Sequence, residues 1–180
     1  MSTFAALLRG INVGGKSRVP MAELRSALSS LGFEDVVTYI QSGNVVFRSP
    51  RGNVKEVATR IEEEVAKRFG VKAAVLIRTP LELAKIADAN PFLSGESDLT
   101  KLYVVFLDDR PRAKAAAQLD PARSPPDAFR LSEREIYLQL PNGFGRSKLA
   151  IDYFERRLGA TATARNWKTL LKLLELTSAK

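Results

Sequence analysis

Residues 36–48 read VVTYIQSGNVVFR, two apolar, β-branched runs separated by only the four residues Gln41 to Asn44. A connection this short forces the runs into an antiparallel hairpin. Parallel strands need a crossover of about a dozen residues or more. The segments on either side complete a pattern. Thr3–Leu8 reads as a buried strand. Pro20–Leu31 reads as a helix, with Pro20 suited to its first position, Leu24, Ala27, Leu28 and Leu31 as its apolar stripe, and Gly32 as its stop. Asn53 opens a second helix with Glu56 as capping partner; it runs to Phe69, ends at Gly70, and leads to a strand at Ala73–Ile77. The order β-α-β-β-α-β is the ferredoxin-like split arrangement, an antiparallel sheet with both helices on one face.

The second half repeats this order loosely. A short helix over Pro80–Ala89 leads through NPFLSGESD to the strand LYVVFL. A helix around Pro111–Gln118 and the Pro-rich loop DPARSPPD follow. AFRL and IYLQL then form a hairpin about Ser132–Arg134. Ser147 is expected to cap a helix ending near Leu158, and Asn166 or Thr163 a last helix through Leu176. The fold expected is therefore α+β: a ferredoxin-like βαββαβ N-terminal lobe over residues 1–79, and a C-terminal βαββα-like lobe with a terminal helix over residues 80–180.

Composition narrows the chemistry. The 180 residues include no Cys and no His. Thiol nucleophiles, disulfides and thiolate metal sites are excluded, and so are the commonest general base and the commonest transition-metal ligand. Any catalysis would rest on carboxylates, Lys, Tyr, Ser or Thr, or on a carboxylate-held metal. No apolar run is long enough to cross a bilayer, and the first residues show no secretory signal, so a cytoplasmic protein without a membrane partner is expected. The formal net charge is +8. It concentrates between Pro141 and Lys172, where Arg146, Lys148, Arg156, Arg157, Arg165, Lys168 and Lys172 face only Asp152 and Glu155. An anionic partner is the natural complement of that surface, although a solvated basic face would look the same.

Gly10–Ser17, GINVGGKS, matches the phosphate-loop pattern G-x-x-x-x-G-K-S, and LYVVFLDD ends in acids, Asp108 and Asp109, that could hold Mg²⁺. Local physics opposes a phosphate loop. Its helix must begin at the Gly-Lys-Ser itself so that free N–H groups surround the phosphates. Here Pro20 favours a later start, and the hairpin that follows is foreign to a parallel sheet. A strand-to-helix turn whose glycines supply positive φ is the alternative.

Three expected helix starts carry cations where acids are normal: Lys16 and Arg18 before Pro20, Arg146 and Lys148 around Ser147, Arg165 and Lys168 around Asn166 and Trp167. Each such cation is disfavoured by about 0.3–1 kcal/mol unless an anion docks on the free N–H groups or the side chain swings into solvent. The turn residues Gln41, Ser42 and Asn44 offer donors and acceptors for a base edge or sugar, or serve the turn itself, with Gly43 and Asn44 left-handed. Trp167 could stack on a base or anchor the last helix.

The segments RGINVGGKSRVPM, TYIQSGNVVF, GRSKL and TARNW, in this order and spacing, resemble a bacterial family of uncharacterised proteins, domain of unknown function 1697. The resemblance covers essentially the whole chain. It implies an α+β fold with ferredoxin-like topology in the N-terminal part, and it hands over no reaction. Its motif positions here are Arg9, Gly10, Asn12, Gly14, Gly15, Lys16, Gln41, Ser42, Gly43, Asn44, Arg146, Ser147, Lys148, Arg165, Asn166 and Trp167, and it implies that Ser17 is often replaced by Asn. The reading that results is a binder of a phosphorylated or polyanionic ligand, a nucleotide-like molecule or nucleic acid. The candidate contacts are Arg9, Asn12, Gly14, Gly15, Lys16, Gln41, Ser42, Asn44, Arg146, Ser147, Lys148, Arg165, Asn166 and Trp167, with no metal and no cofactor. The alternatives are a phosphoryl-transfer enzyme using Gly10–Ser17 and a protein-interaction module with a basic face.

Overall fold

The computed structural model describes residues 1–50 and 52–179. They divide into two units, one of residues 1–84 together with those from Lys172 on, the other Lys85–Leu171. The boundary expected from the sequence lies between residues 79 and 80, with the last helix wholly in the second lobe. In the structure the boundary lies inside the helix that starts at Pro80, and the last helix is shared.

The first unit contains β1 (Ser2–Leu8), α1 (Met21–Ser30), β2 (Glu34–Tyr39), β3 (Asn44–Ser49), α2 (Val54–Phe69) and β4 (Val75–Arg78), and α3 (Pro80–Asp88) begins in it. The sheet order is β2-β3-β1-β4 with every pair antiparallel, the ferredoxin-like arrangement expected. Alternation along the strands explains which face meets the helices. Phe4, Ala6 and Leu8 of β1, Val45 and Phe47 of β3, and Val75 and Ile77 of β4 share one buried cluster with Leu24 and Leu28 of α1 and Val57, Ile61 and Val65 of α2. Phe33 stacks on Phe47 at 4.6 Å, and the Arg60 guanidinium covers Phe33 at 5.0 Å. Asn53 caps α2, its side chain accepting from Lys55 N, while the expected partner Glu56 makes no side-chain hydrogen bond among the described residues; at α3 Thr79 and Glu82 form a reciprocal capping box. Pro20 sits just outside α1 as its N-cap, with its carbonyl accepting from Leu24 N.

The second unit contains β5 (Leu102–Leu107), α4 (Ala113–Ala116), β6 (Ala128–Ser132), β7 (Glu135–Gln139), α5 (Ile151–Leu158) and β8 (Ala162–Asn166), and α6 (Trp167–Ser178) starts in it. Its order, β6-β7-β5-β8, reproduces the first sheet strand for strand, again all antiparallel. The second lobe is thus also βαββαβ, one strand richer than the sequence shows. The added strand, ATARN, escapes a search for apolar runs. Ala162 and Ala164 meet the α5 side of the sheet, while Thr163 and Arg165 point to the other face, where both are buried. The helix expected over 111–118 shrinks to the single turn α4.

Candidate anion-binding cleft

Beyond Leu8 the chain makes a small arm rather than a cradle. Asn12 N donates to Ser17 O (3.0 Å) and Lys16 N to Val13 O (3.2 Å), so Val13 and Lys16 pair across Gly14 and Gly15. Gly14 and Gly15 have φ of 61° and 73°, the two left-handed residues that a tight primed turn needs. Gly-Gly meets that need without a Cβ clash, which explains this part of the motif. The letter match to a phosphate loop therefore folds differently. α1 starts only at Met21, the Asn12 and Lys16 amides bond within the arm, and β1 is antiparallel to both neighbours.

Asn12 holds the base of the arm. Its Nδ2 donates to Val19 O (2.9 Å) and Gln41 O (2.8 Å), and its Oδ1 accepts from Val19 N (2.8 Å). One amide thus binds the β1–α1 connection to the β2–β3 turn, so the first two sequence motifs meet. The turn is built from within. Buried Asn44 donates to Tyr39 O and Ser42 Oγ, and Leu8 N donates to Gly43 O. The left-handed residues are Ile40 and Gly43, not Gly43 and Asn44; Asn44 already opens β3. A Cβ on Gly43 would lie 2.9 Å from Leu8 Cβ, so Gly is required there by both φ and space.

Between these segments lies a cleft of about 440 Å³ lined by Asn12, Arg18, Val19, Pro20, Gln41, the first two residues of α1, and Arg25. Arg25 Nη1 donates to Thr38 Oγ1 at 2.6 Å, which fixes its guanidinium. Among the described residues, the side chains of Lys16 and Arg18 make no hydrogen bond or ion pair, and Glu23, the acid in the first turn of α1, pairs with neither arginine. The cleft therefore presents two cations beside first-turn N–H groups that have no intrahelical acceptor. Arg25 was missed in the sequence. Its signal is spacing: it lies one helical turn beyond Met21 and opposite β2.

Around α5 the expected basic start is not formed, and at α6 only Lys168 of the two expected cations lies in the first turn. Ser147 does not cap α5; its Oγ accepts from Leu149 N, and α5 begins at Ile151 after Ala150, with Asp152 in its first turn. Arg146 ends a single 3₁₀ turn over Phe144–Arg146, and the backbone of Lys148 is bound by Ser124 Oγ and Arg123 Nε. Asn166 does cap α6, accepting from Thr169 N at 2.8 Å. Yet Arg165 belongs to β8, paired with Val104 and buried, its guanidinium donating to Thr163 Oγ1 and Ala164 O. Burial pushes its pKa down to about 10, so it stays cationic at neutral pH. Trp167 is 2% exposed, an anchor rather than a stacking platform. Asp108 and Asp109 serve the backbone, accepting from Thr161 N and Arg110 N; among the described residues no group of three acids could hold a metal ion. Arg9, Lys16, Asn12, Gln41, Ser42 and Asn44 lie in the first unit, and Arg146, Ser147, Lys148, Arg165, Asn166 and Trp167 in the second.

Two antiparallel sheets of identical strand order place the chain among α+β proteins with a duplicated ferredoxin-like topology. Within that class, the chain belongs to the family described as protein of unknown function DUF1697, whose profile matches residues 1–137. Its fold is similar to that of the conserved bacterial protein SP0830 from Streptococcus pneumoniae, with a TM-score of 0.76, 24% identity and 99% of each chain covered. No curated protein matches the chain. Among the described residues no helix is long and apolar enough to cross a membrane.

Proposed function

We propose that this protein binds a small phosphate-bearing molecule in the cleft before α1. The observation that carries the reading is the meeting of Arg18 and Arg25 at the open first turn of α1 in one concave site, with Arg25 already held by Thr38. A guanidinium matches two phosphate oxygens at once, and the helix start adds aligned N–H dipoles. Asn12 and Gln41 line the same wall, and Gln41 supplies an exposed amide for whatever carries the phosphate. Nucleic acid fits less well, because the buried Arg165 and Trp167 leave no stacking platform in the TARNW segment.

Calorimetric titration with inorganic phosphate, pyrophosphate, a nucleoside monophosphate and a short RNA tests this. Replacing Arg18 and Arg25 by Ala is expected to weaken phosphate binding by about tenfold or more each, the scale of a charged hydrogen bond. Affinity for the small ligands should change far less between 50 and 200 mM salt than the roughly 10³-fold loss expected when six or so nucleic-acid phosphates are neutralised. Unchanged binding in the double variant refutes the cleft as the site. A steep salt dependence with RNA alone would replace the small ligand by a nucleic acid.

A further inference from the structure

Of the arm over Asn12–Ser17 only Asn12 lines the cleft, as does Arg18 just after it, and the residues between them take no part in the site as it stands. Every residue from Val13 to Arg18 is exposed, Val13 by 66%, and no atom beyond their chain neighbours lies within 4 Å of where a Cβ on Gly14 or Gly15 would stand. Among the described residues, no side chain from Val13 to Ser17 makes a hydrogen bond or ion pair. The arm is closed on itself by two backbone hydrogen bonds. Its two ends are left-handed non-glycine residues, Asn12 at φ 55° and Ser17 at φ 53°. At one end Asn12 is pinned by three hydrogen bonds; from the other, Arg18 enters the cleft with no partner of its own.

The geometry points to a flap: we infer that the arm folds over an anion held by Arg18 and Arg25 and brings the Lys16 ammonium onto it. The inference rests on the reading of the cleft as a phosphate site. It goes further in naming Lys16 as a ligand-binding residue that acts only in the closed state, and in specifying the class of ligand. A third cation above two guanidiniums matches a group of two or more negative charges, a phosphate monoester or pyrophosphate, better than a carboxylate. An unanchored, self-bonded segment with few buried contacts is the kind that opens and closes at little cost. Val13 and the two glycines, which leave the arm no side-chain anchorage, fit that role.

The probe is inorganic pyrophosphate, with three readouts on the full chain. Calorimetry compares the unaltered protein with Lys16→Ala and Arg18→Ala. Trypsin reports cleavage after Lys16 with and without pyrophosphate. Because the chain has no Cys, Val13→Cys with Ser26→Cys takes spin labels at these positions alone; Ser26 lies one helical turn beyond Ala22 on the exposed face of α1. Closure predicts that saturating pyrophosphate slows cleavage after Lys16 by about tenfold, shortens the label distance, and loses about tenfold in affinity in Lys16→Ala. If pyrophosphate binds and Arg18→Ala weakens it, while the Lys16 cleavage rate, the label distance and Lys16→Ala affinity stay unchanged, the flap is refuted and the cleft stands. If pyrophosphate does not bind, both fall.

Discussion

Asn12 allows the sharpest quantitative test of how the site is built. Replacing it with Ala removes the acceptor for Val19 N and the donor for Val19 O and Gln41 O. Val19 is fully buried, so its two backbone groups lose their partners away from water, while Gln41 is exposed and its carbonyl recovers a water. An unsatisfied buried group costs about 1–3 kcal/mol, and two of them, partly relieved by local shifts, come to about 2–3 kcal/mol. Asn12 also sits at φ 55°, a conformation Asn tolerates and Ala resists by about 1 kcal/mol. The expected loss for Asn12→Ala is thus about 3–4 kcal/mol. Asn12→Gly removes the same hydrogen bonds but accepts the backbone conformation, so it should be about 1 kcal/mol less damaging. Urea unfolding followed by far-ultraviolet circular dichroism measures both, and matched transition slopes keep the comparison valid. An Ala variant within 1 kcal/mol of the unaltered protein, or a Gly variant less stable than Ala, would show that Asn12 does not hold the arm and turn together.

Gly43→Ala meets Leu8 Cβ and Ile11 Cδ1 at 2.9 Å with φ at 78°, and should lose about 2–3 kcal/mol in the same assay, whereas Gly95→Ala, in open space, should lose little. Burial pushes the Tyr137 hydroxyl up to about 12, and the group donates to Ile86 O at 3.0 Å. The folded state thus keeps a proton that the unfolded state releases near pH 10, so this stability is complete below pH 10 and is lost as pH rises toward 12. Tyrosinate absorbance should show one late-titrating residue that Tyr137→Phe abolishes. Trp167, buried at the start of α6, should resist iodide quenching; ready quenching would contradict its burial.

The first sheet was legible because its signals are local. A four-residue turn between β-branched runs sets β2 against β3, and Asn53, Gly70 and the Thr79–Glu82 pair mark helix ends by their own hydrogen bonds. β8 was not legible, since a strand lined by Ala on one side and by Thr and Arg on the other carries no apolar run, and only its pairing with β5 identifies it. Ser147 misled for a related reason. A Ser hydroxyl accepting from an N–H two residues on makes a turn as readily as a helix cap, and nothing in GRSKL separates the two. Arg25 stayed hidden because its role depends on Thr38, thirteen residues away on a neighbouring strand.

A phosphate-loop spelling need not make a phosphate loop. That motif works when a parallel strand delivers its glycines directly to a helix start. Here β1 is hydrogen-bonded to antiparallel partners on both sides, and Pro20 holds the start of α1 away from Lys16. The intervening residues turn back on themselves at Gly14-Gly15, with Asn12 N and Lys16 N bonded inside the arm. The expelled segment becomes an arm that carries its lysine outside the helix start, while Arg18, closer to the helix, remains in the cleft. Charge near a helix start therefore has to be judged from where the helix begins. α5 begins only at Ile151, beyond Lys148, and Arg165 is a strand residue that leaves Lys168 alone in the first turn of α6, whereas at α1 Arg18 and Arg25 line one cleft and pair with no carboxylate among the described residues.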